Sequence, residues 1–428
     1  MIFFEGVRTI HYFETQHGEL YCEEVALSEI AQKVGTPCYV YSHRTLERHF
    51  NVFAQALDGI PHLICYSMKA NSNRSILQIF LQRGGGLDIV SGGELYRAML
   101  AGAAPQKIVF SGVGKTEAEI AMALQADILM FNVESEGELE RIQHVASQQG
   151  IKARVALRVN PDIDPKTHPY IATGLKKSKF GIALNDALRL FEKAKTLSHI
   201  AVHGVDCHIG SQITELDPFV DALHKLKELI HDLRSQYQLP IRYLDLGGGL
   251  GIPYQDETPP HPDEYAARIR EETEGLDCTL IFEPGRVLVG NAGLLLTEVQ
   301  YLKRHEEKTF VIVDSGMNHL IRPALYQAWQ AIQPVKKREG APWVVDVVGP
   351  ICESGDFFAL DRELSPVEPG DLLAVMSSGA YGYSMASQYN SYPRPAEVLV
   401  KGAEFAVIRE RESYSELSRG ENTPLFDL

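Results

Sequence analysis

Between about residue 62 and residue 283, short runs of β-branched and aliphatic residues alternate with longer segments whose apolar positions recur every three or four residues. That alternation predicts strand–helix units feeding a parallel sheet. The runs are Leu63–Met68, Leu87–Val90, Ile108–Ser111, Ile128–Asn132, Val155–Asn160, Gly204–Ile209, Tyr243–Leu246 and Leu280–Glu283. Eight such units close a (β/α)8, TIM-like barrel, whose chemistry gathers where the strands end at the C-terminal face. Polar residues follow that rule. Lys69 closes the first run, Asp88 lies in the second, Asn160 closes the fifth and His208 lies at the end of the sixth. Gly247–Gly249 close the seventh and Glu283 closes the eighth. An open, doubly wound sheet shares the alternation but is not expected to place polar groups at nearly every strand end.

Past Arg286 the texture shifts to strand-like runs at Leu294–Val299, Thr309–Val313, Trp343–Val348, Leu372–Met376 and Glu397–Val400, which predict a mostly antiparallel β domain. Tyr12 to Cys22, also strand-patterned, is expected to add to it. The predicted organisation is therefore a barrel over residues 42–286 and a β-barrel or sandwich domain built from residues 1–41 and 287–428. A chain of 428 residues exceeds what one core usually serves, and 45% hydrophobic with 23% charged residues is the composition of an ordinary soluble globular protein. The segment Glu257–Asp263, rich in proline and acid, reads as a surface loop.

Charge narrows the partners. A net charge of -15 argues against nucleic acid and anionic membranes, so an anionic ligand would need local arginines. The segment Met1 to Glu14 lacks a basic stretch followed by a long apolar run, and no apolar stretch is long enough to cross a bilayer. Cys22, Cys38, Cys65, Cys207, Cys278 and Cys352 are scattered, with no Cys-x-x-Cys pair and no zinc-like cluster, so no metal is expected and a reduced, cytoplasmic protein is the simplest reading.

Several residues carry candidate chemistry. Lys69, in Cys65-Tyr-Ser-Met-Lys-Ala-Asn71, follows a buried strand, where desolvation favours the neutral amine that imine formation needs; a lysine snorkelling at a strand end reads equally well. The turn Gly247-Gly-Gly-Leu-Gly251 offers backbone N–H groups to a phosphate, or is simply a tight turn. Glu283-Pro-Gly-Arg286 sets a carboxylate for a pyridinium nitrogen beside a guanidinium for an anion, or is a buried ion pair. His208 and Ser211 suit a ring stacked on a cofactor and a hydroxyl on its phosphate. His203 and His208, five apart, point to opposite faces of a strand and make a poor metal pair. Beyond the barrel, Cys352, Glu353 and Tyr381 sit in glycine-rich loops, where a lone cysteine serves packing as readily as chemistry.

The ordered set of motifs resembles the fold-type III pyridoxal-phosphate-dependent decarboxylases over nearly the whole chain. The segments are Tyr66-Ser-Met-Lys-Ala-Asn71, Asp88-Ile-Val-Ser-Gly-Gly-Glu-Leu95, Asn160 to Gly181 with Lys166-Thr-His-Pro169, His208-Ile-Gly-Ser-Gln212 and the glycine triplet. They continue with Glu283-Pro-Gly-Arg286, Gly316 to Tyr326, Cys352-Glu353 and Gly379 to Met385. The resemblance implies pyridoxal 5'-phosphate held covalently by Lys69, with Asp88 beside it, His208 on the ring and Glu283 on the ring nitrogen. Ser211, Gly248, Gly249, Gly285, Arg286 and Tyr381 would serve the phosphate side. Arg286, Arg322, Tyr326, Glu353 and Tyr381, with Arg158 a weaker candidate, would bind an amino-acid substrate. Cys352 would be the proton donor, and Cys352 with Glu353 would come from the other protomer of a homodimer with shared active sites.

Within that family, ornithine-type enzymes read Cys-Asp where this chain reads Cys352-Glu353, and they lack Arg322-Pro-Ala-Leu-Tyr326. A substrate end bearing both ammonium and carboxylate needs an anion and a cation together. The resemblance therefore implies decarboxylation of meso-2,6-diaminopimelate to L-lysine and carbon dioxide, the last step of lysine biosynthesis. Ornithine, arginine or carboxynorspermidine are the alternative substrates, and a non-catalytic cofactor-binding protein or a racemase the alternative classes. Two departures from the family pattern are Ser67-Met68 for Ala-Leu and Trp329-Gln330 for Tyr-His.

Overall fold

The computed structural model describes residues 11–165, 167, 171, 173–174 and 178–423; residues 1–10 and Lys166, His168 and Pro169 of the motif above lie outside them. The described residues of Met1–Thr45 and Gly290–Leu428 form one compact unit and Leu46–Val289 the other.

In the second unit eight parallel strands close a barrel: β1 (His62–Ser67), β2 (Gly86–Ile89), β3 (Ile108–Phe110), β4 (Met130–Val133), β5 (Ala153–Asn160), β6 (Ile200–Asp206), β7 (Tyr243–Asp245) and β8 (Thr279–Phe282), with β8 pairing back to β1. Strands β2, β3 and β4 are buried throughout, as strands covered on both faces must be. Cys65, Val109, Met130, Ala156 and Ile281 form one buried cluster drawn from β1, β3, β4, β5 and β8. The sixth strand ends earlier than its apolar run suggests, at Asp206, where its pairing with β5 and β7 stops. Past Asp206 one bond to β7 remains, Cys207 N–H to Asp245 O at 2.9 Å, and His208 lies in a loop instead of on a strand.

Strands β2, β3 and β4 each feed a helix with a capped start. Ser91, Thr116 and Ser135 accept from the N–H groups of Glu94, Glu119 and Glu138 at successive helix starts. Glu119 completes a capping box with Thr116 and also takes the Gly92 N–H at 2.8 Å, tying two neighbouring βα units together. Between them Lys115, 3% exposed, donates to Gly112 O, Asn132 O and Glu138 Oε1 at 2.7–2.8 Å. Removing that ammonium strands Glu138 in the interior. Lys115→Ala is expected to destabilise the barrel by about 3–5 kcal/mol, read as a lower urea midpoint; an unmoved midpoint would show the pair to be dispensable.

The other unit is mostly antiparallel. Its long strand Gly293–Arg304 pairs antiparallel with Cys38–Ser42, Thr309–Val313 and Leu372–Val375. Two pairings are parallel, Cys38–Ser42 with Ala396–Lys401 and Thr309–Val313 with Trp343–Val348. The N-terminal strands Phe13–Gln16, Glu19–Cys22 and Val25–Ala26 form a three-stranded sheet of their own. They join the unit through its core, where Phe13, Leu20, Cys22 and Val25 pack with Leu294, Leu296, Val398 and Val400.

Candidate active site

The C-terminal strand ends of the barrel hold linked polar groups. Past β1, Lys69 sends its ammonium to Asp88 Oδ2 at 3.0 Å, and Ser67 Oγ donates to the same oxygen at 2.5 Å. Asp88 is fully buried while the Lys69 side chain keeps 36% of its surface. The amine is therefore oriented yet reachable.

Opposite in sequence but adjacent in space, Asn132 of β4 donates from Nδ2 to Asp245 Oδ2 (3.1 Å), Glu283 Oε1 (3.3 Å) and Ser111 Oγ (3.1 Å). Ser111 Oγ also donates to Glu283 Oε1 at 3.3 Å. Burial, reinforced by Asp245, Asp88 and Asp206, pushes the Glu283 carboxyl well above the ordinary range. Burial likewise lifts Asp245 to about 6, against bonds from Gly247 N–H and Asn132 that favour its charge. Both carboxyls therefore favour their protonated forms more than an ordinary carboxylate does.

That arrangement sets a pH dependence. Because the folded carboxyl of Asp245 titrates near 6 and not 3.8, the stability it contributes is present below about 3.8 and is lost as the pH rises through about 6. Asp245→Asn should flatten the fall of the melting temperature of cofactor-free protein across that window. The same slope in both proteins would mean that other groups govern it.

His208 lies against the glycine turn after β7. Gly248 N–H donates to His208 Nδ1 at 3.1 Å, which leaves the ring proton on Nε2. Burial, with Arg158 and Lys69 nearby, holds the imidazole pKa well below 6.5, so the ring is neutral. The turn must be glycine here: a Cβ on Gly247 (φ +64) would meet His208 Nδ1 at 2.6 Å, and one on Gly248 would meet Glu283 O at 2.2 Å.

Arg158 is 6% exposed, bonded to Glu134 Oε1 at 2.8 Å and reaching the His208 carbonyl at 3.4 Å. Arg286 donates to Ser211 Oγ at 3.1 Å and Tyr254 OH at 2.7 Å. A Cβ on Gly285 would sit 3.1 Å from Ser67 Cβ. His203 stays on β6, stacked near Tyr243 with ring centroids 6.5 Å apart, and among the described residues no group of three metal-ligating side chains is placed to hold a metal ion.

In the other unit, Arg322 opens the short helix Arg322–Tyr326 and is 6% exposed, while Tyr326 is half-buried. Gln330 is fully buried, and turning its side-chain amide lets the oxygen accept from Arg322 Nη1 at 2.8 Å and the nitrogen donate to Met376 O at 2.6 Å. Cys352 and Glu353 are exposed on the loop after Trp343–Val348, bonded to Asn390 and Tyr389 respectively. Tyr381 holds a left-handed φ of 55. Sequence reasoning missed Ser67, Ser111, Asn132, Glu134, Asp245, Tyr254, Tyr389 and Asn390. A polar residue inside a wholly apolar run is the signal that marks Asn132 and Asp245.

The family model for the pyridoxal-dependent decarboxylase, pyridoxal binding domain, matches residues 43–290. A diaminopimelate decarboxylase of Pseudomonas aeruginosa is 54% identical over 96% of this chain and 98% of its own length. The chain belongs to the diaminopimelate decarboxylase family. Among solved structures of these decarboxylases, that of Helicobacter pylori complexed with L-lysine is 44% identical, with a TM-score of 0.89, over 92% of this chain and 98% of its own. That of M. jannaschii in co-complex with L-lysine is 39% identical, with a TM-score of 0.92, over 97% and 98%.

The barrel residues fit the pyridoxal phosphate on which diaminopimelate decarboxylases depend. Glu283, 5% exposed among three further buried carboxylates, calls for a cation such as a protonated ring nitrogen. The glycine turn packs directly against His208 and the Glu283 carbonyl, which brings its backbone up to two of these residues, and Lys69 offers a primary amine held by Asp88.

Proposed function

We propose that this chain converts meso-2,6-diaminopimelate to L-lysine and carbon dioxide as a cytoplasmic homodimer. Each active site would combine the barrel of one protomer with Cys352 and Glu353 of the partner subunit. The observation that carries the substrate is that two decarboxylases, 44% and 39% identical over 92% and 97% of this chain, hold L-lysine, the product of this reaction. No helix among the described residues is long and apolar enough to cross a membrane.

Bound pyridoxal phosphate supplies the electron sink that lets the carbon–carboxylate bond break. The protein does the rest. Lys69 would hold the cofactor through its primary amine, with Asp88 steadying that group. Glu283 would pair with the ring nitrogen, and its buried, acid-crowded position favours sharing a proton there. His208, neutral and accepting from Gly248 N–H, would lie against the cofactor ring. Ser211, Gly248, Gly249, Gly285 and Tyr381 would hold the phosphate, and Arg286, tied to Ser211, would add its charge for the phosphate and a substrate carboxylate.

Arg322 and Tyr326 receive the distal carboxylate and Glu353 of the partner subunit the distal ammonium. Cys352 of the partner subunit gives a proton to the carbon that lost its carboxylate. Arg158, already paired with Glu134, serves the site chiefly by supporting the His208 loop.

A truncation tests the substrate assignment. Arg322→Ala should raise KM for meso-2,6-diaminopimelate by about tenfold to a hundredfold, the weight of a charge-assisted pair. Cofactor absorbance should be unchanged. The parent protein should turn over ornithine, arginine and carboxynorspermidine far more slowly; preference for any of these would overturn the assignment.

A further inference from the structure

The loop that carries Cys352 and Glu353 is pinned at both ends, and one of the pins has no part in the roles given above. At its base, Asp356 accepts from Ile351 N–H at 2.7 Å and from Met317 N–H at 2.6 Å, which closes the turn. At its tip the contacts come from a separate segment, the short turn Tyr389–Ser391. Cys352 N–H donates to Asn390 Oδ1 at 2.8 Å, and Tyr389 OH donates to Glu353 Oε2 at 2.7 Å. The hydrogen bond to Glu353 raises the Tyr389 phenol above its ordinary value, as a donor to a carboxylate should be.

The backbone of this turn is shaped for the task. Asn390 and Ser391 both hold left-handed φ angles, 55 and 60. Asparagine tolerates that region better than most residues, yet consecutive non-glycine residues there are unfavourable without compensation. Both side chains that the turn presents end on the same two-residue segment. Neither is needed to bury apolar surface, since Tyr389 is 44% exposed.

We propose that Asn390 and Tyr389 are positioning residues: Asn390 fixes the backbone from which the Cys352 thiol projects, and Tyr389 orients the Glu353 carboxylate. The inference rests on the roles given above to Cys352 and Glu353. It predicts a division of labour. Loss of the Asn390 acceptor disturbs proton delivery and appears in kcat, whereas loss of the Tyr389 hydroxyl disturbs the carboxylate that receives substrate and appears in KM.

The test compares Asn390→Gly, Asn390→Asp, Tyr389→Phe and Cys352→Ala as cofactor-loaded protein, each checked for unchanged visible absorbance and melting temperature. Asn390→Gly accepts the left-handed backbone but deletes the acceptor, and Asn390→Asp keeps an acceptor in the same place. Asn390→Gly should lower kcat by about tenfold with KM within about twofold, while Asn390→Asp returns to within about threefold of the parent. Tyr389→Phe should raise KM for meso-2,6-diaminopimelate by about fivefold to tenfold with kcat within about twofold. Equal kcat in Asn390→Gly and Asn390→Asp, or a Tyr389→Phe whose KM stays at the parent value, overturns the proposal. A fully active Cys352→Ala would overturn the underlying role of Cys352. An inactive Cys352→Ala beside a fully active Asn390→Gly would defeat only the positioning claim.

Discussion

Lys69→Ala will lose the visible absorbance of the bound cofactor and turnover together, the latter by on the order of 10^4-fold or more. The amine is placed for covalent work: it follows β1, keeps 36% of its side-chain surface and is aimed by Asp88 at 3.0 Å. An ordinary surface lysine would not be backed by a fully buried carboxylate that also receives Ser67 Oγ. Lys69→Arg separates the two possible uses of that ion pair. It keeps a cation beside Asp88 but offers no primary amine, so it should fail as completely as the alanine variant. Activity in the arginine variant would reduce Lys69 to a structural counter-charge.

Cys352→Ala should keep the absorbance and lose about 10^2 to 10^4 in kcat, the usual weight of a positioned proton donor. The thiol sits exposed on its loop, where it serves no packing role in its own unit. Mixing this variant with Lys69→Ala in exchanging dimers extends the argument to the assembly. With random pairing, half the dimers are hybrids with one composite site intact, so about a quarter of parental activity should return. Demonstrably mixed dimers that stay inactive would place the whole site within one chain.

Much of this was legible in the sequence, and the exceptions share a physical cause. Thr309–Val313 and Trp343–Val348 announce themselves by β-branched residues and form strands over those same residues. The strand Cys38–Ser42 does not, because its partners lie at Gly293–Leu296 and Ala396–Val400 and its five residues are buried on both faces without alternation. The sixth barrel strand is displaced because the neighbouring strands set where its pairing starts and stops, which no local pattern records.

In the site, Lys69, His208 and Glu283 stand at strand ends and could be found by position. Asn132 and Asp245 could not be paired, since only closure of the barrel brings residues more than a hundred positions apart within 3.1 Å. Tyr389 and Asn390 were hidden because their partners Glu353 and Cys352 lie 36 and 38 positions away on another loop, and their own segment has no apolar period. The sequence pattern of a turn shows that it bends, but not which loop its side chains reach.

The measurement that bears most directly on the account is product formation by purified protein given meso-2,6-diaminopimelate, before and after removal and return of pyridoxal phosphate. The account predicts equimolar L-lysine and carbon dioxide with the cofactor, neither without it, and recovery when it is restored. Lysine formation that is indifferent to the cofactor, or a loaded protein that makes no lysine from this substrate while releasing carbon dioxide from another amino acid, would contradict it.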